Sequence, residues 1–187
     1  MEKKERIPPG QSKTEDFPVL HVGDVPVFDP KTWIFSVEGL VENPVTVSFD
    51  EFRKIAPAES TSDFHCVTGW SRLDNRWEGL LFKDLCKLVK PLPEAKFVSV
   101  IAEGDYTTSL SMEEMLEDEV IFAWSLEGKP LEPDHGGPLR AVVPHKYAYK
   151  CAKWVRKLIF TAQKEPGYWE TRGYSDSADP WKEERFD

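Results

Sequence analysis

Apolar positions along this chain recur with two periods, one of strands and one of short helices. Trp33-Ile34-Phe35-Ser36-Val37-Glu38-Gly39-Leu40 is rich in aromatic and β-branched residues and predicts a strand. Asn43-Pro44 marks a turn, and Val45-Thr46-Val47 reads as a second, shorter strand. Ser48 or Asp50 can then cap a short helix holding Phe52 and Ile55. Over residues 80–89, Leu81, Leu85 and Leu88 share a face at helical spacing, with Phe82, Cys86 and Val89 beside them, which predicts a helix. Phe97-Val98-Ser99-Val100-Ile101 predicts a buried strand. Ser111 and Glu114 form a capping-box signature for a short helix carrying Met115 and Leu116. Residues 120–124, 139–143 and 155–160 predict three further strands. Many short strands with few short helices give an α+β fold in which strands dominate.

Residues 1–16 are polar, charged and bear proline and glycine, so a flexible lead-in is expected there, with the ordered domain at 17–187. A chain of 187 residues fits one domain. It contains no apolar run of about eighteen residues, so no membrane span is expected. The start, Met1-Glu2-Lys3-Lys4-Glu5-Arg6, lacks both the apolar stretch of a secretory signal and an Arg-Arg pair. The expectation is a cytoplasmic chain, unless a leader has been removed. A net charge of −9 argues against a nucleic-acid binder, because phosphate binding needs clustered Lys and Arg. Cys66, Cys86 and Cys151 are far apart and form no CxxC pair, which speaks against a zinc ribbon or a disulfide framework.

Four stretches can carry chemistry. In Phe64-His65-Cys66-Val67-Thr68-Gly69-Trp70-Ser71-Arg72, a thiolate at Cys66 is a soft ligand for a transition metal, and Arg72 can supply the positive charge that lowers a thiol's pKa. Equally, a lone Cys reads as a small buried hydrophobe, or as half of a Cys–His nucleophile pair. The adjacent His65, however, would point to the opposite face of a strand. In His135-Gly136-Gly137-Pro138-Leu139-Arg140, glycine amides and the planar fork of Arg140 suit anionic oxygens, while the same residues also describe a tight turn with a surface Arg. Tyr147-Ala148-Tyr149-Lys150-Cys151-Ala152-Lys153-Trp154 places two lysines among small residues, or merely a solvated lysine pair beside a core Trp. Tyr168-Trp169-Glu170-Thr171-Arg172-Gly173-Tyr174 is an aromatic tail that can line a site or cap a core.

Taken in this order, the four stretches resemble the sulfite oxidase-type molybdopterin domain in its stand-alone prokaryotic form. The resemblance runs from about Ile7 to Phe186 and includes Pro8-Pro9-Gly10-Gln11, Phe17-Pro18-Val19-Leu20-His21, Cys66 through Trp77-Glu78-Gly79, and Trp124. It implies that family's mixed-sheet fold and a cofactor of molybdenum (or tungsten) with molybdopterin, in which one Cys thiolate binds the metal. Cys66 matches that ligand. His135 and Arg140 match the pair that anchors the pterin, and Cys151, Ala152 and Lys153 match the later segment that binds it. His21, after Phe17, matches an early His lining the same groove, and one more contact is implied near Ala102 or Glu103. Tyr174 matches the active-site tyrosine, and Arg72 and Trp70 match the pocket wall more loosely. The chemistry implied is two-electron oxygen-atom transfer with an electron-transfer partner, the cofactor doing the redox work and the protein binding and tuning it.

One departure bears on substrate. Sulfite oxidases proper hold the sulfite anion with several arginines, one of them two positions before the early His, and here that position is Val19. The expectation is therefore reduction of an S-oxide or N-oxide, or oxidation of another small substrate. The alternatives are a non-catalytic molybdopterin-binding module and a metal-free Cys-dependent hydrolase.

Overall fold

The computed structural model describes residues 5–187 and folds them as two sheets with short helices between (α+β). The first sheet is built on an antiparallel hairpin of β4 (Pro57–Cys66) and β5 (Trp70–Leu81). β5 also pairs with β8 (Ile121–Leu126), and β8 pairs with β9 (Lys129–Pro130) and β10 (Arg140–Val142). The second sheet has the order β3-β2-β11-β6-β7, from Val45–Ser48, Ile34–Gly39, Val155–Thr161, Phe97–Ala102 and Thr107–Ser111. Only the β2/β11 pairing is parallel in that sheet. The core includes Phe35, Phe52, Phe82, Phe122 and Phe160, all nearly or wholly buried.

The short helices form where local chemistry starts them. Ser48 accepts from the Glu51 amide while Glu51 reaches back to the Ser48 amide, and this box opens α1 (Phe49–Phe52). Ser111 and Glu114 do the same for α3 (Met112–Met115). α2 (Phe82–Val89) begins two residues later than the periodicity predicts, because Leu80 and Leu81 extend β5 and pair with Phe122 and Ile121. Its buried face is Phe82, Leu85 and Val89, whereas Leu88, expected on that face, is exposed.

The hairpin β4–β5 and the strand β7 go beyond the sequence reading. The hairpin's core contribution comes from a few residues, Phe64, Cys66, Trp77 and Leu80, with buried Ser62, Ser71 and Asn75 filling the space between. Its order comes from backbone pairing, which an apolar pattern does not display. The expected lead-in also has partners. Ser12–Lys13 forms β1 and pairs in parallel with Trp70 and Ser71, and the Arg6 guanidinium meets Asp63 and Asp74 at 2.6 Å each. Residues 1–4 of that lead-in lie outside the described residues.

Candidate active site

The end of β4 delivers Cys66 to the floor of a cavity of about 260 Å³. Alternation along β4 sends Phe64 and Cys66 to one side and Asp63 and His65 to the other. His65 and Asp63 line a separate cleft with Glu119 and His145, and the His65 ring packs on Trp181 at 5.1 Å. Burial pushes His65 down to about 4, so its imidazole is neutral at physiological pH. His65 is thus on the far face from Cys66 and cannot pair with it as a base. No group of three or more His, Cys, Asp or Glu that could hold a metal occurs among the described residues, so a metal in the cavity would depend on Cys66 and on ligands from outside the protein.

The opposite wall carries His135 and Arg140, brought in by a 3-10 turn (Pro133–His135) leading through Gly137 into β10. A side chain at Gly137 would place its Cβ 2.3 Å from the Leu131 carbonyl oxygen, so only glycine fits. The amides of Gly136 and Gly137 donate to the carbonyls of Pro133 and Glu132, so these N–H groups build the turn and do not form the expected anion cradle. His135 lies flat on Phe17, with ring centroids 4.9 Å apart and planes 7° from parallel.

Arg140 is 2% exposed, and among the described residues no carboxylate pairs with it. One of its nitrogens donates to the His135 carbonyl at 2.8 Å, and its Nε has no partner. Aromatic faces surround the guanidinium, with Phe64 at 5.0 Å, Phe17 at 5.5 Å and Trp77 at 5.7 Å. Burial pushes the group down to about 10. Lys153 stands beside it, also facing the cavity, with its ammonium on the Asp134 carbonyl at 2.6 Å. Burial, then the charge of Arg140, pushes Lys153 down to about 8. Desolvating two neighbouring cations without an anion is costly, so the cavity is electrostatically incomplete and suits an anionic guest.

The remaining wall is mostly aromatic and comes from the later segments. A 3-10 turn (Ala148–Lys150) supplies Ala148 and Tyr149, then Cys151 and Ala152, and the tail supplies Trp169 and Tyr174. The Cys151 thiol turns inward, where the Val143 amide donates to its sulfur at 3.3 Å, and burial pushes it up to about 11. Trp154 holds a left-handed conformation (φ 62°) with its indole donating to the Pro133 carbonyl at 2.8 Å. Strained backbone of this kind concentrates at binding sites. His21 faces Trp154 at 5.3 Å across the mouth.

Eight of the nine predicted site residues therefore converge on one cavity: His21, Cys66, His135, Arg140, Cys151, Ala152, Lys153 and Tyr174. Arg72 does not. It reaches back to the Glu15 carbonyl, Asn75 and Glu127, lies 5.7 Å from the ring of Phe17, and is absent from the cavity lining. The contact expected near Ala102 or Glu103 is instead Tyr106, which lines the cavity and donates to the Tyr149 carbonyl, while Glu103 pairs with Arg156 at 3.1 Å. Tyr106 lies in a polar turn between β6 and β7, and the missed β7 hid it.

A soft sulfur donor at Cys66, the cations Arg140 and Lys153 without a carboxylate hydrogen-bonded to either, and an aromatic surround suit a class of enzyme that holds an anionic organic cofactor beside a sulfur-ligated transition metal. Residues 22–169 match the oxidoreductase molybdopterin-binding domain, and the chain belongs to that family. It is 44% identical over 182 residues to the uncharacterized oxidoreductase YuiH of Bacillus subtilis, covering 97% of this chain and 92% of that one. It is 30% identical over 166 residues to the protein-methionine-sulfoxide reductase catalytic subunit MsrP of Campylobacter jejuni, covering 80% of this chain and 56% of that one. The fold is shared with the sulfane dehydrogenase SoxCD of Paracoccus pantotrophus, at a TM-score of 0.71 and 21% identity over 78% of this chain and 42% of that one. The chain is an oxidoreductase whose cofactor is molybdopterin with molybdenum.

Proposed function

We propose that this enzyme reduces a small neutral S-oxide or N-oxide by oxygen-atom transfer, taking its electrons from a separate electron-transfer partner. The observation that carries this reading is the meeting, in one cavity, of Cys66 with the cations Arg140 and Lys153, whose hydrogen bonds go to the backbone carbonyls of His135 and Asp134. Cys66 is the protein's ligand to molybdenum (or tungsten). Arg140 and Lys153 neutralise the pterin phosphate, and His135, held flat by Phe17, presents a ring edge to the same end. The backbone of Cys151 and Ala152 and the ring of His21 close the groove around the cofactor. When bound, molybdenum supplies a two-electron couple and an exchangeable oxygen. Tyr174 lines the same cavity and offers a hydroxyl to the substrate oxygen.

Substrate charge follows from the wall around Cys66. Both cations in the cavity are assigned to the phosphate. Arg72 is turned away, and Val19 is uncharged and absent from the lining. An oxyanion substrate such as sulfite would thus miss charge-assisted hydrogen bonds of about 1.5–3 kcal/mol each, whereas a neutral oxide suits the aromatic wall of Trp70, Trp169 and Tyr174. The sulfoxide named in the Campylobacter relative agrees with this choice. A panel assay tests it with reduced dye as donor for S-oxides and N-oxides, and sulfite with an acceptor dye. Oxide reduction without sulfite oxidation is expected, and fast sulfite turnover with no oxide reduction would overturn it.

A further inference from the structure

The loop that presents Cys66 is held from outside by both ends of the chain. Gln11 donates its side-chain amide to the Cys66 carbonyl at 3.1 Å. Its side-chain oxygen accepts from Ser71 Oγ at 3.2 Å, and Ser71 Oγ lies 2.8 Å from His65 Nδ1. Because the Ser71 proton is committed to Gln11, His65 must donate from Nδ1, and the chain of donors runs one way, from His65 to the Cys66 carbonyl. From the other end, Arg185 donates to the Val67 carbonyl while its guanidinium sits 5.3 Å from the Tyr147 ring. The Gly69 amide adds a bond to the Cys66 carbonyl at 3.0 Å, and the Ser12 amide donates to Gly69 at 2.9 Å.

The two ends also lock to each other. The Trp181 indole donates to the Glu5 carbonyl at 2.8 Å, and Gly10, in a left-handed conformation (φ 67°), lies against the Glu183 carboxylate, so the two ends meet. Gln11 and Arg185 both fall outside residues 22–169, the stretch matched to the family.

We infer that Gln11 and Arg185 are positioning residues that fix the Cys66–Gly69 loop, and with it the direction from which the Cys66 sulfur meets the metal. A metal site works only when its ligands are aimed by a supporting shell. Here two consecutive carbonyls, those of Cys66 and Val67, are each held by a side chain from an opposite end of the chain. The inference rests on Cys66 as the metal ligand, and its test separates the two claims.

The full chain is made without cofactor, and the rate of Cys66 alkylation by iodoacetamide is read by peptide mass spectrometry, with Cys151 as internal reference. Releasing one hydrogen bond from the loop should raise the Cys66 rate roughly three- to tenfold in Gln11→Ala and, independently, in Arg185→Met. Arg185→Lys, which keeps a donor for the Val67 carbonyl, should return the rate toward wild type. Arg6→Ala loosens the same N-terminal segment without touching the loop, and should leave the rate within about twofold. In the metal-loaded protein, Gln11→Ala should retain its metal but alter the metal's paramagnetic resonance signal. Unchanged Cys66 rates in Gln11→Ala and Arg185→Met, or an equal rise in Arg6→Ala, overturn the inference. Full metal binding with an unaltered signal in Cys66→Ser overturns the ligand assignment instead, and leaves the alkylation result standing as a statement about the loop.

Discussion

Two buried cations in this molecule stand in opposite circumstances. Lys150 is 1% exposed and its ammonium meets the Glu170 carboxylate, Asp176 at 3.6 Å and the Ser109 carbonyl at 3.2 Å. Arg140 is 2% exposed and meets one backbone carbonyl and three aromatic faces. The first cation is complete within the protein. It ties the turn that carries Tyr149 to the tail that carries Trp169 and Tyr174, and so holds the aromatic wall of the cavity together. The second has no carboxylate partner among the described residues, and the proposed function assigns its missing anion to the cofactor. Burial alone therefore does not distinguish a structural charge from a functional one. The presence of an internal counter-charge does.

The comparison breaks most visibly at Glu170. Glu170→Ala leaves Lys150 buried without its nearest anion and should destabilise the cofactor-free protein by about 3 kcal/mol in urea unfolding, the low end for a broken buried pair because Asp176 remains. A loss under about 1 kcal/mol would show the two cations to be alike. Arg140→Met is the counter-experiment. It should leave cofactor-free stability within about 1 kcal/mol of wild type or raise it, because an uncompensated charge is removed, while lowering pterin affinity at least roughly tenfold. Full pterin occupancy in that variant would detach Arg140 from the cofactor.

Two smaller effects sharpen the contrast. Lys153 is held down to about 8, so above that pH the cofactor-free chain carries it neutral and must take up a proton to meet an anion. Pterin affinity should fall as pH rises from about 8 to 9, by up to about tenfold per unit, and Lys153→Gln should flatten that slope. An equal slope in both proteins removes Lys153 from the phosphate site. Tyr174→Phe should slow turnover by about tenfold, one hydrogen bond's weight, with pterin content unchanged. An equal loss of both would recast Tyr174 as structural.

The site was more legible in the sequence than its frame. His135, Arg140, Lys153 and Tyr174 stand in short stretches whose order carries the family resemblance, and they do converge. Chemistry-bearing residues can be read singly, whereas a hairpin such as β4–β5 is stabilised by pairing between strands far apart from any apolar run. Arg72 shows the limit most clearly. Its nearness to Cys66 in sequence suggested a thiol-activating charge, but on the returning strand it pairs with Glu15, Asn75 and Glu127 outside the cavity lining, and the cations that face the cavity with Cys66 come from about seventy residues on and beyond. Gln11 stands in a stretch that carries the resemblance, but its contact was not legible: its partner, the Cys66 carbonyl, is a backbone atom that no side-chain motif announces.

The most direct test of the account is the metal and pterin content of the protein purified from a molybdate-supplied host that makes the cofactor, measured by elemental analysis and by fluorescence of the released pterin. The account predicts about one molybdenum (or tungsten) per chain together with pterin, both falling in Arg140→Met. Neither metal nor pterin in the wild-type chain would contradict it, and would leave the cationic wall of the cavity waiting for a different anion.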